Sequence, residues 1–293
     1  MPDQAVMESD LASLAFPDWI GRSTSTEDEI TLPAVRRIAV TFDQPADTFA
    51  KGDALPPHWY SMFFPALARQ SELGHDGHPR KGDFLPPVPL PRRMFVGRRV
   101  QFPGALHVGD AAVKRSEIAA ITPKRGRSGT MAFLTVRHTI SVAGKPVVIE
   151  EQEVVYREAA APGAGVPKKE PTLPPAGATW RESVFLDPVL LFRYSAVTWN
   201  GHRIHYDADY ARDQEGYPAC VQNGALTVHL LVDAAMRRSG RRPTGLTARL
   251  SQPLFVGQNV VLTGHDAVDG RMLVWAETES GGLAATVELE MPA

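Results

Sequence analysis

The sequence predicts an α+β fold of two similar halves, each a curved antiparallel sheet wrapped around a central helix. Residues 38–43 (IAVTFD) return in related form at residues 195–200 (SAVTWN), and such internal repetition indicates duplicated structural units. Later segments of both halves alternate apolar and polar residues with period two, which is typical of half-buried strands. A long apolar segment in the second half is helical in character, so a sheet is expected to enclose it.

Residues 161–177 separate the two halves and are rich in proline, alanine and glycine without any apolar period. Such a composition is typical of a partly stiffened linker. We therefore predict an N-terminal domain over residues 1–160 and a C-terminal domain over residues 178–293. The chain has 293 residues, 43% of them hydrophobic, which is enough to build a core in each half.

In the first half, residues 38–43 are predicted to form an early strand, and residues 59–70 (WYSMFFPALARQ) a short central helix distorted by Pro65. Gly109 precedes the later strands and is expected to adopt a positive φ in a turn. Three longer strands are then predicted within residues 114–121, 132–142 and 146–158, where apolar residues alternate.

In the second half, residues 195–200 correspond to the early strand, and residues 224–238 (GALTVHLLVDAAMRR) are apolar nearly all round. A helix of that kind is buried, most simply inside a curved sheet. After a turn at Gly257, strands are predicted within residues 260–268, 272–280 and 283–291. A helix wrapped by an antiparallel sheet, occurring twice in one chain, is the double hotdog arrangement.

The composition excludes several classes of function. A net charge of −2, from 31 basic and 33 acidic residues, gives no basis for nucleic acid as a partner. A single cysteine, Cys220, excludes an internal disulfide and a thiolate metal cluster. No apolar run approaches the ~20 residues of a membrane span, and the acidic N-terminus resembles neither a secretion signal nor a transit peptide. We therefore expect a cytoplasmic protein without a membrane partner.

Residues 194–207 (YSAVTWNGHRIHYD) concentrate the polar chemistry of the chain, and residues 216–233 (GYPACVQNGALTVHLLVD) follow them. Together they resemble the catalytic element of the MaoC-like dehydratases, in which a Gly-Asp-x-Asn-Pro-x-His segment precedes a His-Gly pair at a helix start. Residues 71–97 and 126–158 resemble the N-terminal domain of the subgroup containing mesaconyl-C4-CoA hydratases and type-two 3-hydroxyacyl-thioester dehydratases. The resemblance covers residues 17–290.

The resemblance implies reversible addition of water to the double bond of a short enoyl-CoA, including dicarboxylic ones such as mesaconyl-CoA or itaconyl-CoA. This reaction needs a base, an acid and a group that stabilises charge on the thioester oxygen. His205 aligns with the family's catalytic histidine, and imidazole titrates near neutral pH. The N–H of Gly224, at the positive end of the buried helix, is the expected oxyanion donor. Each residue also has a structural reading: His205 as a partner of a neighbouring backbone group, and Gly224 as a plain helix start.

Asn200 departs from the family pattern, because it aligns with a catalytic aspartate. An amide can hold water but cannot take a proton. Two readings stay open: an enzyme with one acid–base histidine and a water-positioning Asn200, or a non-catalytic acyl-thioester-binding protein. His202 replaces an asparagine of the motif and could orient His205 or titrate. Asp207 could do the same or cap the helix after it. A hotdog thioesterase is a further alternative. Such enzymes typically carry a carboxylate on the central helix, whereas the carboxylate of this helix, Asp233, lies well inside it.

Several residues are candidates for substrate binding. Basic side chains should meet the phosphates of CoA, and the densest basic cluster, residues 237–242, contains Arg237 and Arg241. Arg92 and Arg93 are the candidates for a free carboxylate of the acyl group. A helix end and a surface pair explain these arginines equally well. Asn223 and Tyr206, the neighbours of Gly224 and His205, complete the set.

The first copy of the motif carries Asp43, Pro45 and Thr48 where the second has Asn200, His202 and His205. We therefore expect an N-terminal domain that has lost catalysis and forms half of the substrate tunnel. His75 and His78 are predicted to be loop residues. The His-x-x-His-x-Asp spacing of residues 202–207 lacks a third ligand at a suitable offset, so no metal or other cofactor is expected. The resemblance further implies a homodimer.

Overall fold

The computed structural model describes residues 11–126, 129–158 and 172–292, and the structural statements below refer to these residues. Ten strands form one antiparallel sheet. They are β1 Ser23–Glu29, β2 Arg92–Gln101, β3 Ala111–Gly126, β4 Gly129–Val142, β5 Lys145–Arg157, β6 Trp180–Phe185, β7 Gly245–Leu250, β8 Asn259–Gly264, β9 Arg271–Glu277 and β10 Leu283–Glu290. The α-helices are α1 Leu32–Thr41, α2 Pro188–Val197, α3 Ala208–Asp213 and α4 Gly224–Ser239.

The strand order shows that the sheet has two equivalent halves. From one edge to the other it runs β1-β3-β4-β5-β2-β7-β10-β9-β8-β6. Read from its own edge, each half therefore has the same order, with its first strand outermost and its second strand innermost. The halves join where β2 pairs with β7, from Gly97↔Arg249 to Gln101↔Gly245. This is the predicted double hotdog.

Helix α4 is the central helix of the second half, as the sequence predicts. The Asn223 side chain caps it by accepting a hydrogen bond from the Ala225 N–H at 2.9 Å. Gly240, with a φ of 66°, ends it in the left-handed conformation. Its sides are buried almost all round, and Leu226 and Leu231 have no exposed surface. Truncating either leucine to alanine should lower the free energy of unfolding by about 2–5 kcal/mol.

The repeated segments at residues 38–43 and 195–200 lie in helices and their ends, so the predicted early strands are wrong there. They belong to α1 and α2, each of ten residues. Thr31 and Asp187 cap these helices, and a proline follows in the first turn of each. The strand prediction rested on period-two alternation within six residues only. The caps and prolines that start the two helices lie upstream of those residues. The two repeated segments also lie in contact with each other: the Arg193 guanidinium of α2 donates to the Val40 carbonyl of α1 at 3.0 Å.

The predicted central helix of the first half, residues 59–70, is also corrected. A 3-10 helix of six residues, Pro57–Met62, occupies this place, and Phe64 then takes a positive φ of 58°. Pro65 explains the stop, because it lacks an N–H and disfavours the helical conformation in the residue before it. The fully buried Trp59 still joins one core with α4 and the strands, so a 3-10 turn replaces a helix at the centre of this half.

Other expectations can be compared directly. Gly109 and Gly257 have positive φ values of 101° and 84°, as predicted for their turns. The predicted linker lies largely outside the described residues, so the domain boundaries stay predictions. Within the described ranges, no helix has both the length and the apolar character that crossing a bilayer requires.

Candidate active site

The motif loop, residues 198–207, connects α2 to α3 and is held from within. The Asn200 N–H donates to the Ser195 carbonyl at 2.8 Å, which folds the chain back onto the end of α2. The Asn200 side-chain oxygen then accepts the His202 N–H at 3.0 Å. Asn200 therefore shapes the loop with its oxygen, and no hydrogen-bond partner is found for its NH₂ group among the described residues. That group is the one able to hold water.

His205 lies at the end of the 3-10 turn Arg203–His205 and is buried. Its Nδ1 is 2.7 Å from the carbonyl oxygen of Val221, which can only accept, so Nδ1 carries the proton and Nε2 offers a lone pair. Burial, helped by the nearby His78, lowers the pKa of His205 to about 4 although the bond to Val221 opposes the shift. The ring is neutral at physiological pH, as a general base must be.

His202 lies beside His205, with its ring perpendicular and the ring centroids 5.4 Å apart. Burial is the main cause that lowers the pKa of His202 to about 2, and the neighbouring His78 and His205 add to it against the opposing Asp76. A group held neutral so firmly is a poor proton donor. We interpret His202 as a packing and positioning neighbour of His205.

The start of α4 meets the motif loop at Val221. The Val221 N–H donates to the Ile204 carbonyl at 2.8 Å, while its own carbonyl holds His205. Three residues later Gly224 begins the helix, and no acceptor for its N–H is found in the part of the chain that the structure describes. That free donor points along the positive end of the helix dipole. The two readings of His205 are compatible, because the bond to the Val221 carbonyl fixes the tautomer in which Nε2 carries a lone pair.

Glycine at position 224 also has a steric reason. A Cβ atom there would lie 2.3 Å from Leu250 Cδ1 of β7 and 3.2 Å from Phe95 Cδ1 of β2. Both contacts are tighter than ordinary packing, so a side chain here forces its neighbours to move. Because Phe95 belongs to the first half, the junction of the two halves forms one wall around the start of α4.

Sequence reasoning missed a contribution from the loop of residues 74–78. His78 lies with its ring centroid 4.1 Å from that of His202, and its Nδ1 is 2.9 Å from Asp76 Oδ2. The segment is indeed a loop, but it comes from the first half and reaches the motif of the second. The available signal was an aspartate between two histidines, GHDGH at residues 74–78, with no local reason for that composition.

Asp76, His78 and His202 offer three possible metal-ligand atoms within 4.8 Å of one another. The separation of 2.9 Å between Asp76 and His78 is that of a hydrogen bond, so a proton already occupies the space between them. Lys81 and Arg93 add positive charge close by. A carboxylate and two imidazoles are ligand types that suit a divalent cation. The hydrogen bond between Asp76 and His78 and the positive charges nearby instead favour a proton shared by these two side chains.

Asp207 is committed to structure. Its side chain caps α3 by accepting from the Tyr210 N–H at 2.9 Å and pairs with the Arg203 guanidinium at 2.7 Å. Tyr206 is largely exposed, and its hydroxyl donates to the Gly201 carbonyl at 3.0 Å. Both residues stabilise the motif loop from its outer side, away from the buried ring of His205.

The two predicted carboxylate-binding arginines differ in their surroundings. Arg92 is half-buried and already paired, with its Nε 3.1 Å from Glu215 Oε2 and an Nη2 bond of 3.2 Å to the Tyr217 hydroxyl. Arg93, the next residue of β2, contributes to the lowered pKa of His202. Of the two arginines, Arg93 is therefore the one that lies within electrostatic range of His202.

Arg237 and Arg241 lie at the far end of α4 from Gly224, and the 16 residues of that helix span about 24 Å. Arg237 pairs with Glu182 at 2.7 Å, and Arg241 donates to the Pro292 carbonyl at 3.1 Å. The structure does not bring these two arginines together with His205. Helix dipole and local ion pairs account for their positions.

The first-copy residues Asp43, Pro45 and Thr48 are all exposed. The Thr48 hydroxyl donates to the Pro45 carbonyl at 2.7 Å, a bond within the turn. These three counterparts therefore carry no buried polar side chain, in contrast to the buried His202 and His205.

Comparison with solved structures defines the class of fold. A MaoC-like dehydratase from Phytophthora capsici aligns with a TM-score of 0.68 at 13% identity, over 93% of this chain and 96% of that one. A Mycobacterium tuberculosis protein described as a double hotdog aligns with a TM-score of 0.55 at 15% identity, over 96% of this chain and 97% of that one. The protein has the double hotdog fold of MaoC-like dehydratases.

Comparison of sequences gives the family. The model of hydroxyacyl-thioester dehydratase type 2 matches residues 58–256. Mesaconyl-C(4)-CoA hydratase of Chloroflexus aurantiacus is 43% identical over 95% of this chain and 99% of that protein. The mitochondrial hydroxyacyl-thioester dehydratase type 2 of Schizosaccharomyces pombe is 27% identical over 71% of this chain and 77% of that protein. The protein belongs to the hydroxyacyl-thioester dehydratase type 2 family, and it is an enzyme of the hydro-lyase class.

Proposed function

We propose that the protein adds water reversibly to the double bond of a short dicarboxylic enoyl-CoA, of the mesaconyl-CoA or itaconyl-CoA type, through His205. The similarity to mesaconyl-C(4)-CoA hydratase over nearly the full length of both chains supports this substrate class. The observation that supports the proposed chemistry is the bond from the buried His205 to the Val221 carbonyl, three residues before the free N–H of Gly224 at the helix start.

In the hydration direction, the thioester carbonyl oxygen accepts a hydrogen bond from the Gly224 N–H. His205 Nε2 removes a proton from a water molecule held by the Asn200 amide, and the water oxygen forms a bond to C3. The double-bond electrons move toward the thioester as an enolate, whose charge the helix end stabilises. A proton then adds to C2, so that one water molecule is consumed. General acid–base catalysis of this kind contributes typically 10²–10⁴-fold to a rate.

The carboxylate of a dicarboxylic acyl group needs a cation inside the site, and Arg93 fits that role. Arg92 is held by Glu215 and Tyr217, so releasing it would cost two polar contacts. Arg93 is close enough to act on the charge of His202, and no ion-pair partner for it is found among the described residues. A guanidinium can hold a carboxylate with two parallel hydrogen bonds.

The alternative functions are less well supported. A hotdog thioesterase would use a carboxylate of the central helix, but Asp233 is buried well inside α4 and pairs with His58 at 3.0 Å. A non-catalytic binder would tolerate His205 facing away from Gly224. The bond from His205 to Val221, three residues before Gly224, instead favours a working site.

The expected homodimer stays a prediction, which sedimentation of the purified protein would test.

A substrate panel tests the proposed function. Purified protein is offered crotonyl-, mesaconyl- and itaconyl-CoA, and loss of the enoyl-thioester absorbance is followed. We expect turnover of a dicarboxylic substrate and a loss of at least ~10²-fold in kcat for His205→Gln. His107→Gln, at a partly exposed histidine in the first half, is the matched control and should keep wild-type activity. No hydration of any of the three, or an unimpaired His205→Gln, would show the proposal to be wrong.

A further inference from the structure

The loop of residues 74–78 is built onto the motif loop by backbone contacts. The Arg203 N–H donates to the Asp76 carbonyl at 2.9 Å, and the Arg203 guanidinium donates to the His75 carbonyl at 3.2 Å. Inside the loop, the Gly74 N–H donates to the His78 carbonyl at 2.7 Å. These bonds fix the loop of the first half against the turn that carries His205.

Asp76 and His78 form a hydrogen-bonded pair within this loop. Asp76 accepts from the His78 N–H at 3.0 Å through one carboxylate oxygen and bonds His78 Nδ1 at 2.9 Å through the other. Burial raises the pKa of Asp76, but the hydrogen bonds from His78 and the nearby rings outweigh it and lower the pKa to about 2. An ionised carboxylate can only accept, so Nδ1 of His78 is the donor and Nε2 remains for proton transfer.

The other polar groups of the site leave one role unfilled. Hydration requires one proton to leave water and one proton to reach C2. Without a second acid–base group, His205 would have to perform both transfers. Asn200 cannot exchange a proton, and His202 is a poor donor because its protonated form is strongly disfavoured. The His78 side chain is about a quarter exposed and lies against His202, so a ligand can reach it.

We propose that His78, oriented by Asp76, is a second acid–base catalytic residue, which the first half of the chain supplies to protonate C2. This rests on the proposed hydration. His205 takes the proton from water as the bond from oxygen to C3 forms, and the imidazolium form of His78 gives its Nε2 proton to C2 as the enolate collapses. The proton gained by His205 returns to His78 through solvent before the next turnover, so both groups are restored. Asp76 stabilises the imidazolium form of His78, which is present before the step and is restored after it, as in other histidine–carboxylate pairs.

A metal ion is the competing use of the same three side chains. It would displace the proton between Asp76 and His78 and would face the positive charges of Lys81 and Arg93. The hydrogen-bonded geometry therefore favours acid–base chemistry, and the test below separates the two.

The test uses His78→Ala, His205→Ala and, as control, His107→Ala in the full-length protein, with a substrate that the wild type hydrates. We expect His78→Ala to lower kcat at least ~10²-fold with KM changed less than ~3-fold, and added imidazole to restore part of kcat. Rescue by imidazole separates a missing proton donor from a damaged fold. Asp76→Asn should lower kcat and change its pH profile, while His107→Ala behaves as the wild type does.

The outcomes distinguish the two proposals. If the wild type hydrates its substrate but His78→Ala keeps kcat within ~3-fold, or loses it without rescue by imidazole, the role of His78 is refuted and the proposed function stands. Loss of wild-type activity on chelation and its return with added zinc would assign the cluster to a metal and equally overturn the inference. A wild type that hydrates no enoyl-CoA overturns both.

Discussion

Gly77 of the first half lies against the backbone of Gly201 in the motif loop, and replacing it with alanine isolates that contact. Its φ is +87°, and an added Cβ would lie 1.9 Å from the Gly201 carbonyl oxygen and 2.8 Å from its carbon. Real Cβ contacts essentially never fall below 3.0 Å, so the two loops must separate by about 1 Å. The obstacle is backbone, which cannot rotate away as a side-chain tip can.

Gly52→Ala is the matched control for Gly77→Ala. Gly52 has nearly the same φ, +91°, but a Cβ there would meet nothing within 4 Å. Both variants carry the strain of a left-handed alanine, roughly 1–2 kcal/mol. Only Gly77→Ala should also weaken the bonds from Arg203 to the loop, at about 1 kcal/mol for each bond lost. The difference between the two variants therefore measures the docking of the loop.

The expected consequence of Gly77→Ala is a loss of activity larger than its loss of stability. A misplacement of about 1 Å in a catalytic arrangement can cost ~10²-fold in rate. We expect kcat to fall by that order while the melting temperature falls only a few degrees more than in Gly52→Ala, as measured by substrate absorbance and thermal unfolding. Equal activity of the two variants would refute the view that the loop of residues 74–78 belongs to the active site.

Three further predictions follow from the site. Because burial lowers the pKa of His205 to about 4 from 6.5, the unfolded chain binds a proton there first as pH falls. The free energy of unfolding should be unaffected by this group above pH 6.5 and should decline by about 3 kcal/mol between pH 6.5 and 4. Urea titrations at several pH values should show a shallower decline in His205→Gln, and an identical decline in both proteins would contradict the lowered pKa of His205. The added methyl group of Gly224→Ala meets the side chains of Leu250 and Phe95, which must both move, so stability should fall by about 1–3 kcal/mol. We expect kcat to drop ~10-fold or more, because the methyl group crowds the proposed oxyanion donor. Arg93→Gln should raise KM for mesaconyl-CoA ~10-fold and change KM for crotonyl-CoA by less than ~2-fold, whereas Arg92→Gln should leave the ratio of the two KM values unchanged. An unchanged ratio in Arg93→Gln would show that Arg93 does not bind the substrate carboxylate.

The sequence predicted the features that depend on local signals. Residues 224–238 are apolar on every side and start after Asn223, a good cap, so α4 could be placed almost to the residue. In β4, apolar residues separated by an even number of positions share one face, and Leu134, Val136 and Ile140 are all buried there. His205 could be singled out because the residues around it match a family motif.

The features that failed depend on longer windows or on contacts between distant segments. Residues 38–43 alternate well enough for a strand, but the cap Thr31 and the proline after it decide for a helix. The strand β2 was not among the predicted strands, and Arg92 and Arg93 at its start could equally be a surface pair after the prolines of residues 86–91. Nothing local to residues 74–78 indicates that they lie against residues 200–205. That contact exists because the sheet joins β2 to β7.

The structure gives a physical reason for a first half that carries no motif of its own. Thr48 stands exposed where the second copy has the buried His205. This half lacks a central α-helix as well, since Pro65 stops the turn at residues 57–62. What it contributes is placed at the shared site: Phe95 of β2 packs against Gly224, and the loop of residues 74–78 sets an aspartate–histidine pair beside His202. The two copies of one fold thus place different groups around the motif loop: the second half holds the buried His205, and the first half holds the Asp76–His78 pair beside His202.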